Sequence, residues 1–409
     1  MPNAVVASQP QPQDRPLDWV NIVFLTLTPL IAVFGTAWYA WHYGVTKLEI
    51  GLFFAMYFAT GLGITGGYHR YYSHRTYECS KPLQLFYLIF GAAAVENTVI
   101  NWCSDHRYHH RFVDTEEDPY NILRGGLYAH IGWIFRMNQK DPATRFANIP
   151  DLQKDPLVKW QEKYYLHIVV LAGFVLPALV GAIGGRPLGG LLWGGFLRCV
   201  VVQHMTFFIN SLAHLYGDRP YSDVDTARDS WWLGMFTFGE GYHNFHHKFQ
   251  ADYRNGLRWY QFDLAKWWLW GMSLMGQAGR FKRMPDHLIL KAKLEVQQRA
   301  IERRLAAAQA PERMWQKVQA RVEAGRLRME HSYAQYLHAK GEYQRRKDEW
   351  TVDMRRQWDA KSKLYKAEYL EARRRWDDML KAMERIPHPT PQQAFSVMAA
   401  VDLLKGKHF

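Results

Sequence analysis

The chain has 409 residues, 48% of them hydrophobic, 15% aromatic and only 22% charged, which excludes a wholly disordered polymer. Its net charge of +13 is uneven: residues 281–409 hold 28 Lys and Arg against 17 Asp and Glu, leaving the first 280 residues close to neutral. Three cysteines, Cys79, Cys103 and Cys199, without C-x-x-C spacing exclude a disulfide scaffold and a zinc ribbon.

In chain order, residues 1–18 are polar and rich in Pro and Gln, with no secretory pattern, and read as a disordered leader. Ile22–Tyr39 and Gly51–Tyr68 are uncharged and long enough to span a bilayer, and the short turn between them makes a hairpin. Leu166–Gly185 and Leu188–Leu212 form a second hairpin around Arg186. The segment Pro82–Ile100 is apolar but carries Glu96 and Asn97, so a re-entrant or interfacial helix is expected there. Lys47 and Arg186 are the single basic residues of the two short turns, whereas residues 69–165 and 213–285 are rich in Lys and Arg. The positive-inside rule therefore places those segments and both termini in the cytoplasm. From Lys291 to Arg385 the chain is Lys-, Arg- and Glu-rich and helical by pattern, with Trp358, Tyr365, Tyr369, Trp376, Leu380 and Met383 on one face and Trp315, Val318 and Val322 repeating the theme. The expected architecture is all-α: four transmembrane helices in two hairpins, a cytosolic helical cap, and a C-terminal amphipathic helical extension. Its domains are expected at 1–18, 19–285 and 286–409.

Nine of the 18 histidines lie in four clusters: His69 and His74 (HRYYSH), His106, His109 and His110 (HRYHH), His214 (NSLAH), and His243, His246 and His247 (HNFHH). Chance supplies an HxxHH in a chain of this composition about 0.03 times, and two occur. On a helix, i, i+3 and i+4 share a face, so each HxxHH is expected to aim three imidazoles at one point. Asn210 and His214 are likewise i, i+4. His69 and His74 are five apart, so a helix end or break is expected between them. Imidazole suits Fe, Zn and Cu, and one ion needs only three or four such ligands, so nine argue for two ions. The remaining histidines read as surface or core residues, His130 and His204 being the two closest to the motifs. A nucleic-acid interface fits poorly, because the His segments lie between apolar spans and no binding module is recognisable.

The boxes HRYYSH, DHRYHHRF, NSLAH and GEGYHNFHHKF, together with EEDPYN (Glu116–Asn121), HIGW (His130–Trp133) and DYRNGLRWYQFD (Asp252–Asp263), resemble the membrane fatty-acyl desaturases, particularly acyl-CoA Δ9 desaturases of the stearoyl-CoA type, from about Val20 to Trp270. The resemblance implies that the nine clustered histidines hold two non-haem irons, with Asn210 supporting one through a water. It implies O2-dependent insertion of a cis double bond, Δ9, into a saturated C16–C18 acyl chain lying in a narrow tunnel. No catalytic residue beyond the metal site is expected. A related reaction class, di-iron hydroxylation of alkanes or lipids, uses the same histidine logic and is the alternative.

Asp105, Glu240 and Asp114 neighbour the histidines and are candidates to orient imidazole N–H groups. For the substrate, Asn97, Trp102 and Arg136 match the pattern of acyl-CoA enzymes. Ser104 stands where an Arg is familiar, Met137 where a Lys is familiar, and Phe207 where a Trp is familiar. The first two remove cationic phosphate contacts, so an acyl-lipid or acyl-carrier-protein substrate stays open beside acyl-CoA. No G-x-G-x-x-G follows a strand and no Cys pattern suits an iron–sulfur or rubredoxin centre. An external electron donor of ferredoxin, rubredoxin or cytochrome b5 type is therefore implied, acidic enough to meet a basic cytosolic face.

Overall fold

The computed structural model describes residues 16–137, 142–307, 312–385 and 394–404. Among the described residues four helices are long and apolar enough to cross a membrane: α1 (Trp19–Tyr43), α2 (Lys47–Ser73), and, after two shorter helices α3 (Lys81–Ala93) and α4 (Val99–Phe112), α5 (Pro156–Ile183) and α6 (Pro187–Leu215). Only 17–50% of their most apolar windows is buried, and side chains such as Phe34, Trp41 and Ile183 face outward. Apolar surface of that extent is stable against lipid and not against water. The chain is an integral membrane protein.

Local chemistry sets where these helices start. Asp18 accepts from the backbone N–H of Asn21 to cap α1, and Asp155, followed by Pro156, caps α5. Thr46 and Glu49 form a capping box on α2. Glu49 is buried and also accepts from Arg186 Nε (2.5 Å) and Tyr39 hydroxyl (3.0 Å), so one carboxylate clasps the two short turns together. With those turns joined at one end, α2 and α6 both deliver their C-terminal residues, including His69 and His214, to the other. Of the expected leader, residues 1–15 lie outside the described residues; Leu17 pairs with Arg136 in an antiparallel bridge, and Met137 N–H donates to Pro16.

The last 11 residues of α2, Gly63–Ser73, are π-helical and pack on α3 at backbone contact. A methyl on Gly63 would lie 2.4 Å from the Gly91 nitrogen, so neither helix tolerates a side chain at the crossing. In α6, the buried Arg198 donates to the carbonyls of Ala93, Gly173 and Gly194, satisfying three helices' backbone groups at once. The polypeptide between and after the spans adds α7 (Trp231–Phe236), α8 (His243–Lys248) and α9 (Leu264–Leu274), and one short antiparallel pairing of Glu78–Cys79 with Ala278–Gly279. The segment expected to be re-entrant is α3 followed by a turn at residues 94–98, too short to span.

Residues 1–219 and 224–283 form one compact unit; Pro220–Asp223 and Met284–Phe409 form a second. The second contains α10 (Asp286–Ala307), α11 (Glu312–Arg346), α12 (Val352–Glu384) and α13 (Ala394–Asp402). Helices α11 and α12 make a hairpin, with Tyr333 against Tyr369 and Trp350 stacked on Trp358. Val318, Val322, Trp376, Met379 and Met383 are buried in a core of its own, so the apolar stripe read from sequence packs internally. Asp223 is held by Arg299 and Arg303 of α10.

Candidate metal centre

The helices dictate how nine imidazoles meet. In the π-helical end of α2 the hydrogen bond runs from i to i+5, so residues five apart share a face. His74 N–H donates to the His69 carbonyl at 3.1 Å, and the two rings lie 4.9 Å apart. The helix end expected between them falls at Ser73, with His74 as the C-cap, and the π winding before it brings the two rings together. Helices α4 and α8 carry the two HxxHH boxes, and each residue turns about 100° from the last. Positions i+3 and i+4 thus point to opposite sides of i. His69, His74, His106, His110 and His246 form one group; His109, His214, His243 and His247 form the other. The expectation that each box aims at one point is corrected: i and i+4 serve one group and i+3 serves the other, in opposite senses in α4 and α8.

Within each group the ring nitrogens all lie within 4.8 Å of one another. Nε2 faces Nε2 at 2.9 Å between His69 and His246, 2.9 Å between His246 and His110, and 2.8 Å between His74 and His106. The corresponding separations are 3.2 Å for His109–His247, 3.0 Å for His247–His243 and 3.2 Å for His243–His214. Burial holds His74, His106, His110, His243, His246 and His247 well below the usual histidine value, and the crowding of imidazoles pushes the same way. They are neutral at pH 7, with lone pairs to give.

Four of the nine Nδ1 atoms have identifiable partners: His106 Nδ1 lies 3.4 Å from the Tyr120 hydroxyl, and the other three lead to carboxylates. Glu240 Oε2 lies 3.0 Å from His69 Nδ1, and Asp118 Oδ1 lies 2.9 Å from His109 Nδ1. His214 Nδ1 meets Thr226 Oγ1 at 2.8 Å, and that hydroxyl donates to Asp114 Oδ1 at 2.7 Å. An ionised carboxylate only accepts, so these contacts place the proton on Nδ1 and leave Nε2 bare. Where both facing nitrogens are bare, a separation of 2.8–3.2 Å is repulsive unless a cation lies among them. Nitrogens about 2.1 Å from one ion sit about 3.0 Å apart when they are cis at right angles. Both groups therefore fit a transition-metal ion with imidazole preference.

Glu240 follows Gly239, whose left-handed φ of 103° leaves no room for a Cβ against Asp263. Burial alone would raise the Glu240 carboxyl, but His69 and Arg70 outweigh it and hold it below its ordinary range. Arg70 Nη2 donates to Glu240 Oε1 (3.0 Å) and Asp263 Oδ1 (2.9 Å), and Asn255 Nδ2 donates to Glu240 Oε2 (2.6 Å). All four side chains are buried.

The other residues named from sequence are scattered around this centre. Asn210 is half-buried at position i of the i, i+4 pair with His214. Trp102 stacks on His106 (4.9 Å, 25°) and donates to Glu96 Oε2 at 3.3 Å. Phe207 is buried, and its ring lies 5.7 Å from that of His130. Asn97 is exposed, with its N–H donating to the Tyr165 hydroxyl at 3.0 Å. Arg136 is half-buried in the bridge to Leu17. Ser104 turns inward and donates to the Arg145 carbonyl (2.6 Å) and Asn148 (3.0 Å), while Met137 is exposed. Asp105 lies 3.7 Å from Arg145. His130 and His204 pair with each other at 3.0 Å and belong to neither group. Sequence reasoning missed Asp118, Thr226, Arg70 and Glu96. Asp118 and Arg70 carried a signal, since they lie inside EEDPYN and HRYYSH.

Four apolar spans and two groups of converging imidazoles that could hold a metal ion define a polytopic membrane protein with a histidine-lined site. The chain belongs to the fatty acid desaturase family, whose family model matches residues 46–283. It is 41% identical to acyl-CoA desaturase 1 of Saccharomyces cerevisiae over 295 residues, 71% of this chain and 56% of the yeast protein. It is 36% identical to sn-1 stearoyl-lipid 9-desaturase of Synechocystis sp. and 37% identical to stearoyl-CoA desaturase 2 of Mus musculus, each over 66% of this chain and over 81% and 76% of those proteins. The chain thus spans a little over half the length of its yeast relative. The match to the family ends before α10, so the part of the second unit from Met284 onward lies beyond it.

Proposed function

We propose that this protein is an O2-dependent fatty-acyl desaturase that introduces a cis Δ9 double bond into a saturated C16–C18 chain carried on CoA. The observation that carries the reading is the convergence of five and four imidazole nitrogens in two groups, in a chain that belongs to the family and resembles acyl-CoA and stearoyl-CoA desaturases. The reaction removes two hydrogens from adjacent methylenes and, with O2, two protons and two electrons from an external donor, yields the alkene and two waters. Two iron ions, when bound, supply the oxidising chemistry that an unactivated C–H bond demands and that no side chain provides. His69, His74, His106, His110 and His246 would hold one ion; His109, His214, His243 and His247 the other, with Asn210 nearby.

The protein's own part is placement. Trp102, stacked on a ligand of the five-histidine group, offers an apolar face against which an acyl chain can lie. Glu96 ties Trp102 to Thr206 of α6, since Thr206 Oγ1 donates to Glu96 Oε1 at 2.9 Å. Phe207, the next residue, and Asn97 border the same region in sequence and serve the chain's passage in this reading. Lys and Arg in segments 69–165 and 213–285, against one basic residue in each short turn, support a cytoplasmic side for the site and both termini. That basic face would receive a donor of ferredoxin, rubredoxin or cytochrome b5 type.

The test is expression in a host lacking its own desaturase, followed by gas chromatography–mass spectrometry of total fatty acids. A new Δ9 monounsaturated acid, absent with His247→Ala, is the expected result. Hydroxy acids would overturn the reading in favour of hydroxylation; a Δ6 or Δ11 product would overturn only the position.

A further inference from the structure

His214 has little regular helix around it. It sits on a single helical turn, Leu212–Leu215, after the regular helix of α6 gives way at Ser211 (φ −109°, ψ −72°). Nothing in that turn fixes the direction of its ring. The loop that packs against it does. Arg228 N–H donates to Ala213 O (2.7 Å), His243 N–H to Arg228 O (3.3 Å), Asn244 Nδ2 to Ala227 O (2.9 Å) and Phe245 N–H to Asp229 Oδ1 (3.0 Å). Residues 226–229 therefore lie stitched between the turn carrying His214 and the helix carrying His243 and His247.

Thr226 heads this loop, and both its polar groups face Asp114. Its N–H donates to Asp114 Oδ2 and its hydroxyl to Asp114 Oδ1, each at 2.7 Å. Asp114 adopts a left-handed φ of 62°, a conformation that a non-glycine residue holds only when its surroundings fix it, and its own N–H donates to Asp118 Oδ2 at 3.2 Å. Asp118 in turn reaches His109. One short segment thus supports two histidines of the same group, one directly and one through a hydroxyl.

The hydroxyl has a single proton, and a carboxylate can only accept it. Oγ1 must then accept from His214 Nδ1–H, which leaves His214 Nε2 unprotonated and facing His243 Nε2. We propose that Thr226 is a positioning residue that, with Asp114 behind it, fixes the tautomer and orientation of His214 and so the metal affinity of the four-histidine group. This rests on the reading of the two groups as metal centres. Valine in place of Thr226 keeps the shape and removes the relay; serine keeps the relay.

The test is a cobalt(II) titration of the full-length, metal-stripped protein in detergent, followed by its visible absorption. Wild type is expected to take up two ions. Thr226→Val is expected to bind one of them 10–100-fold more weakly, the range seen when a partner behind a ligating histidine is removed, while the other is unchanged. Thr226→Ser is expected to restore wild-type binding. The proposal is overturned if Thr226→Val binds both ions as wild type does, or if Thr226→Ser is as weak as Thr226→Val. Should Thr226→Val not purify as a monodisperse species, Asp114→Asn decides on the same terms, unchanged affinity overturning the proposal. A wild-type protein that takes up no cobalt would bring down the metal-centre reading as well, an outcome distinct from failure of the relay alone.

Discussion

The two histidine groups use one donor type, neutral imidazole, and yet rest on different foundations. The five-histidine group is backed at His69 by Glu240, which shares Arg70 with Asp263 in a buried ionic cluster. The four-histidine group is backed by Asp118 at His109 and by the neutral hydroxyl of Thr226 at His214. In the first, a guanidinium between two carboxylates sets how much negative charge reaches the ring. In the second, the charge arrives once directly and once through a relay. Identical ligands can therefore be tuned separately, because what differs is the residue behind each ring.

The largest expected effect separates the groups by adjacent residues. His246 and His247 are neighbours in α8, yet belong to different groups. His246→Ala and His247→Ala are each expected to abolish desaturation, a loss of more than about 100-fold and beyond the range of changes behind the ligands. Metal analysis should show each variant losing a different ion, and cobalt spectra that are not superimposable. Identical spectra for the two variants would break the division into two groups.

Next comes the ionic cluster. Arg70→Met leaves Glu240 and Asp263 buried without their shared cation, which costs about 3–5 kcal/mol by the behaviour of broken buried pairs. Thermal unfolding in detergent is expected to show a corresponding fall, and the five-histidine group should lose metal first. An unchanged melting temperature would show that Arg70 carries no such burden.

Exchanging the carboxylates for amides gives a smaller and more selective effect. Glu240→Gln and Asp118→Asn are each expected to weaken metal binding 10–100-fold, the first at the five-histidine group and the second at the four-histidine group. Cobalt titrations that show both variants affecting the same ion would contradict the geometry.

How much of this was legible in the sequence follows from which physics acts locally. The spans were readable because a largely apolar run long enough to cross a bilayer has few other uses. Ile22–Tyr39 and Leu188–Leu212 lie within α1 and α6, and the helices run a few residues beyond these windows, in α6 as far as the buried His214. The nine histidines were readable because their clustering is improbable. Their division was not, since i, i+3 and i+4 share a broad face and only the presence of two targets shows that i+3 and i+4 diverge by about 100°. The π-helical winding that unites His69 with His74 depends on α2 packing against α3 at Gly63, a contact that spacing alone does not reveal. Thr226 and Asp114 are 112 residues apart, and nothing marks one aspartate among many as the partner of one threonine.

Glu96 supplies the finest contrast, because it is a titratable group near the five-histidine group that touches no ligand of it. Two left-handed non-glycine residues, Val95 (φ 60°) and Asn97 (φ 84°), flank it and aim its carboxyl between Trp102 and Thr206. Burial raises its pKa to about 8, against the pull of those two hydrogen bonds. At pH 7 the folded protein thus holds a proton on Glu96 that the unfolded chain has released. Where the folded state binds more protons, stability falls as pH rises. The fall runs from the ordinary carboxylate range up to about 8 and levels off above it. Glu96→Gln keeps the shape and carries no such proton. The difference in stability between Glu96→Gln and wild type is therefore expected to grow by on the order of 1 kcal/mol between pH 7 and 8, read as melting temperatures in detergent at each pH. Parallel curves across that interval would show that Glu96 is ionised already, and that Trp102 rests against His106 without a neutral acid behind it.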